Sequence, residues 1–237
     1  MMKGTLVIVA VLMVAVAIVV ALISTSTRAT QAIDEELREL SKNPCIPDAL
    51  EIAQKNMPFG IKIRTPKDLP EGYRLAGITG VLEPGGSPGG WIDLYYWDKD
   101  GCALTSGINE HDLMMQYKAV KVTILVPRSP EGDYKDGDDF AEQYYYSYYL
   151  SRKDEFRADV RLVELSNGYK GYGNDPFMGT GKWIRIEEGD GSERVVHEEP
   201  YPEPGRIAFF HEEDKTVYIV MADMPLEELM RMAESIN

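Results

Sequence analysis

Gly85, Ser87 and Gly89, within the stretch LEPGGSPGGW, stand in the G-x-S-x-G spacing of a serine nucleophile elbow. The chemistry of such an elbow is acyl transfer. A serine on a sharp strand-to-helix turn attacks a carbonyl, and the backbone N–H of the next residue helps hold the oxyanion. Here the next residue is Pro88. It has no N–H to donate, and its ring fixes φ. Downstream, WIDLYYWD alternates Ile92, Leu94 and Tyr96 with Trp91, Asp93, Tyr95 and Trp97, which is the period of a strand. The stretch therefore reads as strand, Gly/Pro loop, strand, and a secreted hydrolase using Ser87 is the weakest of three functional readings.

Other chemistry-bearing stretches fail on similar grounds. MGTGKW suggests a phosphate loop, but Pro176 stands where the first glycine is needed and Trp183 where Ser or Thr is needed. PRSPEGDYKDGDD suggests a calcium loop, yet counting back from Gly137 only Asp136 fits, with Tyr134 and Gly132 at the other two ligand positions. A glutamate is also missing after it, where Gln143 sits, so Asp133, Asp136, Asp138 and Asp139 read as a solvated acidic loop. His111, His197 and His211 each neighbour carboxylates, but no two lie at the short spacing a zinc site uses. No catalytic, cofactor-binding or metal site is expected from these patterns.

The elements that would position any site begin with an apolar segment. Leu6 to Ile23 is an unbroken run of 18 apolar residues, which as a helix reaches roughly 27 Å, close to a bilayer's hydrocarbon core. Its length favours a retained anchor through residues 6–23 over a cleaved signal, although STSTRATQA after it offers small residues to a peptidase. Lys3 ahead of the run fits export of the large domain, while Arg28, Arg38 and Lys42 beyond it weaken the orientation signal. The resulting expectation is a single-pass membrane protein with its large domain outside, the alternative being secretion after cleavage. KGTL before the run also resembles an archaeal-type prepilin junction, with Thr5 a poor match after the cut. A pilin-like filament subunit processed after Gly4 is therefore the second functional reading.

The formal net charge is −14 and the pI about 4.7. A surface of that sign repels phosphate backbones, so nucleic acid is excluded as a partner. Cys45 and Cys102 are the only cysteines. An oxidising compartment would let them pair, and the alternative is two buried free thiols.

Further along, Ile33, Leu37 and Leu40 mark a short amphipathic helix, and DALEIAQKNM a second that Pro58 and Gly60 end. Beyond it the chain turns β-rich. LPEGYRLAGITGVL predicts a turn and a strand, and WDKDG a tight turn joining the Trp91–Trp97 strand to another in CALTSGI. AVKVTILV puts Val120, Val122, Ile124 and Val126 on one face. EQYYYSYYL is ambiguous between strand and helix. The helix, capped by Asp138 or Asp139 and running to Phe156, would pair Tyr144 with Tyr148 and Tyr145 with Tyr149. These four tyrosines are a candidate interaction surface, the plainer reading being that they pack on the sheet. Strands follow in ADVRLVEL, closed by an Asn-Gly turn, in KWIRI and RVVHEE, and in a final hairpin turning at Glu212–Lys215. Pro225 opens a last helix with Leu226, Leu229, Met230, Ala233 and Ile236 as its apolar stripe. An antiparallel sheet with one apolar face is its expected partner. The fold class is therefore α+β: a transmembrane helix, short N-terminal helices, and an antiparallel sheet domain with a C-terminal helix on the sheet. The domain reading is 1–28 as anchor or signal segment, 29–60 as helical linker, and 61–237 as the extracytoplasmic domain with an insertion at 127–157.

TPKDLPEGYRLAGI, VELSNGYKGYG and KTVYIVMADMPLEELMRMAESIN together resemble a bacterial and archaeal extracytoplasmic domain family of unknown function, found on some anti-sigma factors and other membrane-anchored envelope proteins. The resemblance covers roughly residues 45–237, interrupted by the acidic loop and tyrosines. It implies an envelope sensor or binding module, an envelope protein as partner, and no catalytic residues. Only MMKGT precedes the apolar run, so the sequence departs from an anti-sigma factor, whose cytoplasmic domain would lie there. Under the topology above, direct control of a sigma factor by this chain is excluded. The leading functional expectation is a non-enzymatic, membrane-anchored binding or protein-interaction module of the cell envelope.

Overall fold

Short helices lead into the sheet. Helix α1 (Ala49–Asn56) carries Glu51 in its first turn and Lys55 in its last, matching the helix dipole. Pro58 then forces a 3₁₀ turn, Pro58–Gly60, and ends the helix. Strands β1 (Arg74–Leu82), β2 (Gly90–Trp97) and β3 (Val120–Leu125) follow. Between β2 and β3 lies helix α2 (Glu110–Met115), whose first turn is capped by Asn109 Oδ1 accepting from the Asp112 N–H at 2.8 Å. Helix α3 (Gly137–Tyr144) is capped in the same way, with Asp136 Oδ1 2.9 Å from the Asp139 N–H. Then come β4 (Arg161–Glu164), β5 (Lys170–Asn174), β6 (Phe177–Met178), β7 (Trp183–Glu187), β8 (Glu193–His197) and β9 (Pro202–Glu203). The hairpin of β10 (Gly205–His211) and β11 (Thr216–Ala222) leads to helix α4 (Leu226–Glu234). This computed structural model describes residues 45, 48–82, 89–104, 108–144, 159–179, 183–187, 193–197 and 200–236.

Seven strands form one wholly antiparallel sheet in the order β1-β2-β3-β11-β10-β5-β4. The chain's last hairpin thus sits at the centre, between two groups of earlier strands. Two small antiparallel pairs, β6 with β9 and β7 with β8, stand apart from it. The fold is α+β, and the C-terminal helix packs on the sheet as expected. Leu226, Leu229, Met232, Ala233 and Ile236 join Ile207, Phe209 and Val220 in the main core, which α1 completes with Ala49 and Ala53. Each large apolar side chain removed from water here contributes about 1.5–3 kcal/mol. Met232, not Met230, is the fully buried methionine of this helix. Pro225 is its N-cap residue rather than its first helical one, and Asp175 Oδ1 accepts the Leu226 N–H at 2.8 Å.

Both faces of the sheet are covered, not one. On the second face Phe140 of α3 packs against Tyr172, Phe210, Val217 and Ile219. Leu113 of α2 packs there too, against Tyr95, Trp97, Ala76 and Ala103. This is why every residue of β2 except Trp91 is buried, although its sequence alternates. The predicted strand in CALTSGI is absent among its described residues. Ala103 instead donates to the Ala76 carbonyl at 2.9 Å beside a register shift in β1, and the chain enters α2 a few residues later.

The Gly/Pro stretch does join two strands, since Leu82 pairs with Gly90 across an antiparallel β1–β2 hairpin. Ser87 itself, the apolar run, the 29–43 helix, and Tyr145, Tyr148 and Tyr149 lie outside the described residues. Among the described residues no helix is long and apolar enough to cross a membrane.

Candidate functional site

The second face of the sheet holds a cavity of about 310 Å³ at the end where β3 meets β11. Leu125 and Val217, directly paired across those strands, form its apolar floor. Pro127, Arg128, Asp133 and Tyr134 enter from the loop after β3, Gln143 and Tyr144 from the last turn of α3, and Lys215 from the β10–β11 turn. Lys215 adopts a left-handed conformation with φ 52°. Its ammonium stands 5.6 Å from the centre of the Phe210 ring, 3.6 Å from Glu212 Oε2 and 3.3 Å from the Lys135 carbonyl.

Local packing fixes the cavity's aromatic wall. Tyr134 meets Phe140 edge-on at 5.1 Å, and Tyr144 stacks on Tyr172 at 5.4 Å with 18° between the ring planes. Burial pushes the Tyr134 hydroxyl up to about 12, so it remains a donor throughout the physiological range. Arg128 spends its Nε and backbone N–H on Asp133 Oδ1, at 3.1 and 3.4 Å. Its Nη donors and the Tyr134 hydroxyl have no partner among the described residues. The floor is apolar, and the rim carries two cations and one carboxylate among the described residues.

The exposed apolar pair Val81 and Trp91 lies in register with this floor. Val81 pairs with Trp91, Trp91 with Leu125 and Leu125 with Val217. Val81 and Trp91 are each 38% exposed. The row forms an apolar strip running from edge strand β1 to the cavity.

Two other polar constellations lie on the sheet, around Lys121 and His211. Lys121 Nζ sits 3.2 Å from Asp93 Oδ2 and 2.6 Å from Glu110 Oε1, while Thr123 Oγ1 donates to Asp93 Oδ1 at 2.6 Å. Burial raises the Asp93 carboxyl above its usual range, with Lys121 and Thr123 opposing. Near the β10–β11 turn, His211 is 1% exposed. Its Nδ1 lies 3.2 Å from Asp214 Oδ2 and its Nε2 3.1 Å from the Tyr169 hydroxyl. The Asp214 backbone N–H also points at Nδ1, at 3.4 Å, so that nitrogen faces both the carboxylate and the amide of the same residue. Arg64 closes the group, with Nε 2.5 Å from Asp214 Oδ2 and Nη2 2.8 Å from Glu213 Oε2. Burial lowers the His211 basicity against the pull of Asp214, and burial raises Tyr169.

Of the residues singled out in the sequence, Cys45 and Cys102 form a disulfide with 5.5 Å between their Cα atoms. Tyr144 belongs to the cavity and packs on the sheet, the plainer of its two readings. His111 Nε2 contacts the Pro202 carbonyl at 2.6 Å, far in sequence and role from His211. Among the described residues no group of three or more His, Cys, Asp or Glu could hold a metal ion. Sequence reasoning missed Arg128, Tyr134 and Lys215 as lining, because they come from a loop and a turn with no periodicity.

Comparison with protein-family models, with curated proteins and with solved structures finds no match to this chain.

Proposed function

We propose that the protein is a single-pass, membrane-anchored extracytoplasmic binding module of the cell envelope that works by recognition and not by catalysis. The observation that carries this reading is the cavity under α3, an apolar floor with donors at Arg128 and Tyr134 that have no partner among the described residues. Cavities of this build position ligands through a few polar groups over an apolar bed. The Cys45–Cys102 bridge suits an oxidising compartment, and the apolar run of residues 6–23 is long enough to retain the domain at a membrane. The segments resembling envelope domains lend the same direction, and Tyr145, Tyr148 and Tyr149, outside the described residues, are the side chains proposed to meet an envelope protein partner.

Intact mass and N-terminal sequencing of the protein from native membranes test the anchor. An uncut Met1 or Met2 start supports it. A start at Thr5 gives a filament subunit instead, and one near Thr27–Ala32 a released protein. Cross-linking from the same membranes, with wild type and with a Tyr145→Ala/Tyr149→Ala variant, tests the partner. Partners unchanged in the variant would remove the tyrosines from the interface.

A further inference from the structure

We infer that the cavity between the β3 end and α3 binds a small carboxylate with an apolar body. The inference rests on reading the cavity as a recognition site and names the chemistry of its ligand. The volume, about 310 Å³, is at the lower limit of small-molecule pockets and equals the space of about ten waters. It therefore suits a compact molecule rather than a chain or a nucleotide.

Unused hydrogen-bond donors decide the polar end of that molecule. The two cations of the lining are charge-paired, Arg128 with Asp133 at 3.1 Å and Lys215 with Glu212 at 3.6 Å. Among the described residues the Nη donors of Arg128 remain unspent after its Nε and N–H are given to Asp133, and a guanidinium pairs best with a planar carboxylate. The Tyr134 hydroxyl, held protonated by its burial, is a second donor. Opposite these groups, Leu125 and Val217 present aliphatic surface and Tyr144 an aromatic ring. Such a bed favours an aryl or branched-alkyl body over a sugar or an inorganic anion.

The test is titration of the full chain in detergent micelles with phenylacetate, followed through backbone amide signals. Phenylacetamide serves as the uncharged isostere and inorganic phosphate as the bare anion. The expected result is saturable movement of the Leu125, Tyr134 and Val217 signals by phenylacetate, with Kd on the order of 1 mM. Phenylacetamide should bind at least about tenfold more weakly. Arg128→Gln, at an exposed side chain whose loss leaves the fold intact, should weaken phenylacetate by a similar factor, while Arg161→Gln on the distant edge strand should not. Equal binding of acid and amide at the same signals would overturn the carboxylate assignment while leaving the cavity a recognition site. Phosphate binding as tightly as phenylacetate would overturn the apolar body. No movement of the cavity signals with any probe would overturn the inference entirely, whereas the envelope-partner reading stands or falls separately on cross-linking.

Discussion

Lys121 reaches across adjacent strands to place its ammonium 3.2 Å from the Asp93 carboxylate, and both side chains are 8% exposed. Removing one member leaves the other charged, buried and short of a partner, which typically costs about 3–5 kcal/mol. Lys121→Met should therefore be strongly destabilising in urea unfolding. The double variant Asp93→Val/Lys121→Met, which removes both charges and keeps apolar bulk between the two aromatic clusters, should recover most of the loss. A double variant as unstable as the single one would show that Glu110 and Thr123, not the pair, set the energy.

Cys45 and Cys102 close a segment of 57 residues. Chain-entropy arithmetic for a loop of that length gives about 4 kcal/mol of stabilisation. The Cys45→Ser/Cys102→Ser variant should lose a sizeable part of this in its urea midpoint, and alkylation of the unreduced, denatured wild type should add no mass. Modification of either cysteine without reductant would contradict the bridge.

His211 gives the fold a pH dependence of definite sign. Its folded basicity is lowered by burial, so the unfolded state binds more protons and acid favours unfolding. The stability that neutral His211 supports is fully present above its unfolded pKa, near 6.5, and declines as pH falls through that value toward the lower folded one. Between about pH 7.5 and about pH 5.5 the urea midpoint of the wild type should fall. In His211→Gln, which keeps hydrogen-bonding capacity without titrating, the midpoint should fall less. An identical slope in both proteins would assign the effect to other groups.

Gly173 has no room for a side chain. A Cβ there would overlap the Leu226 side chain and lie 2.8 Å from the Arg206 carbonyl. Gly173→Ala should push α4 off the sheet at a cost of about 1–3 kcal/mol. Thermal unfolding checks this, and an unchanged midpoint would mean that Leu226 gives way freely.

Met232→Ala should cost about 2–5 kcal/mol by leaving a hole beneath α4. Met230 only borders that core, so Met230→Ala should cost less than half as much. Paired denaturation curves decide between them, and equal losses would return the helix to the stripe its sequence suggests. Leu226, Leu229 and Ala233 are common to both stripes, so the heptad positions alone could not separate Met230 from Met232. The choice is made by which side of α4 faces the core residues of β10 and β11, a tertiary property.

The same limit governs the rest of what was legible. The hairpins at Asn167–Gly168 and Glu212–Lys215, the β7–β8 pair and the C-terminal helix follow from local turn chemistry and periodicity, and they stand where the sequence put them. Helix α2 did not show itself: its six residues are too short for a period, and only the Asn109 cap marks it. Asp93 and Lys121 looked like the solvent side of alternating strands. Their burial depends on α2 and α3 covering the second face, which alternation within a strand cannot reveal. Arg128, Tyr134 and Lys215 converge only through strand order, with Arg128 and Lys215 drawn from the ends of β3 and β11.

The central position of the β10–β11 hairpin also constrains how the chain acquires its fold. Strands β1 to β3 pair among themselves, as do β4 and β5, but among the described residues no strand pairing joins the two groups until Gly205–Ala222 arrives between them. A polypeptide emerging N-terminus first, from a ribosome or through a translocation pore, therefore holds two separate half-sheets with open inner edges. Each half keeps an inner edge exposed to mispairing until the β10–β11 hairpin inserts. The arrival of β10 and β11 is thus also the step that commits the sheet to its native pairing, and a chain cut short before β10 should yield an aggregating product and not a smaller folded one.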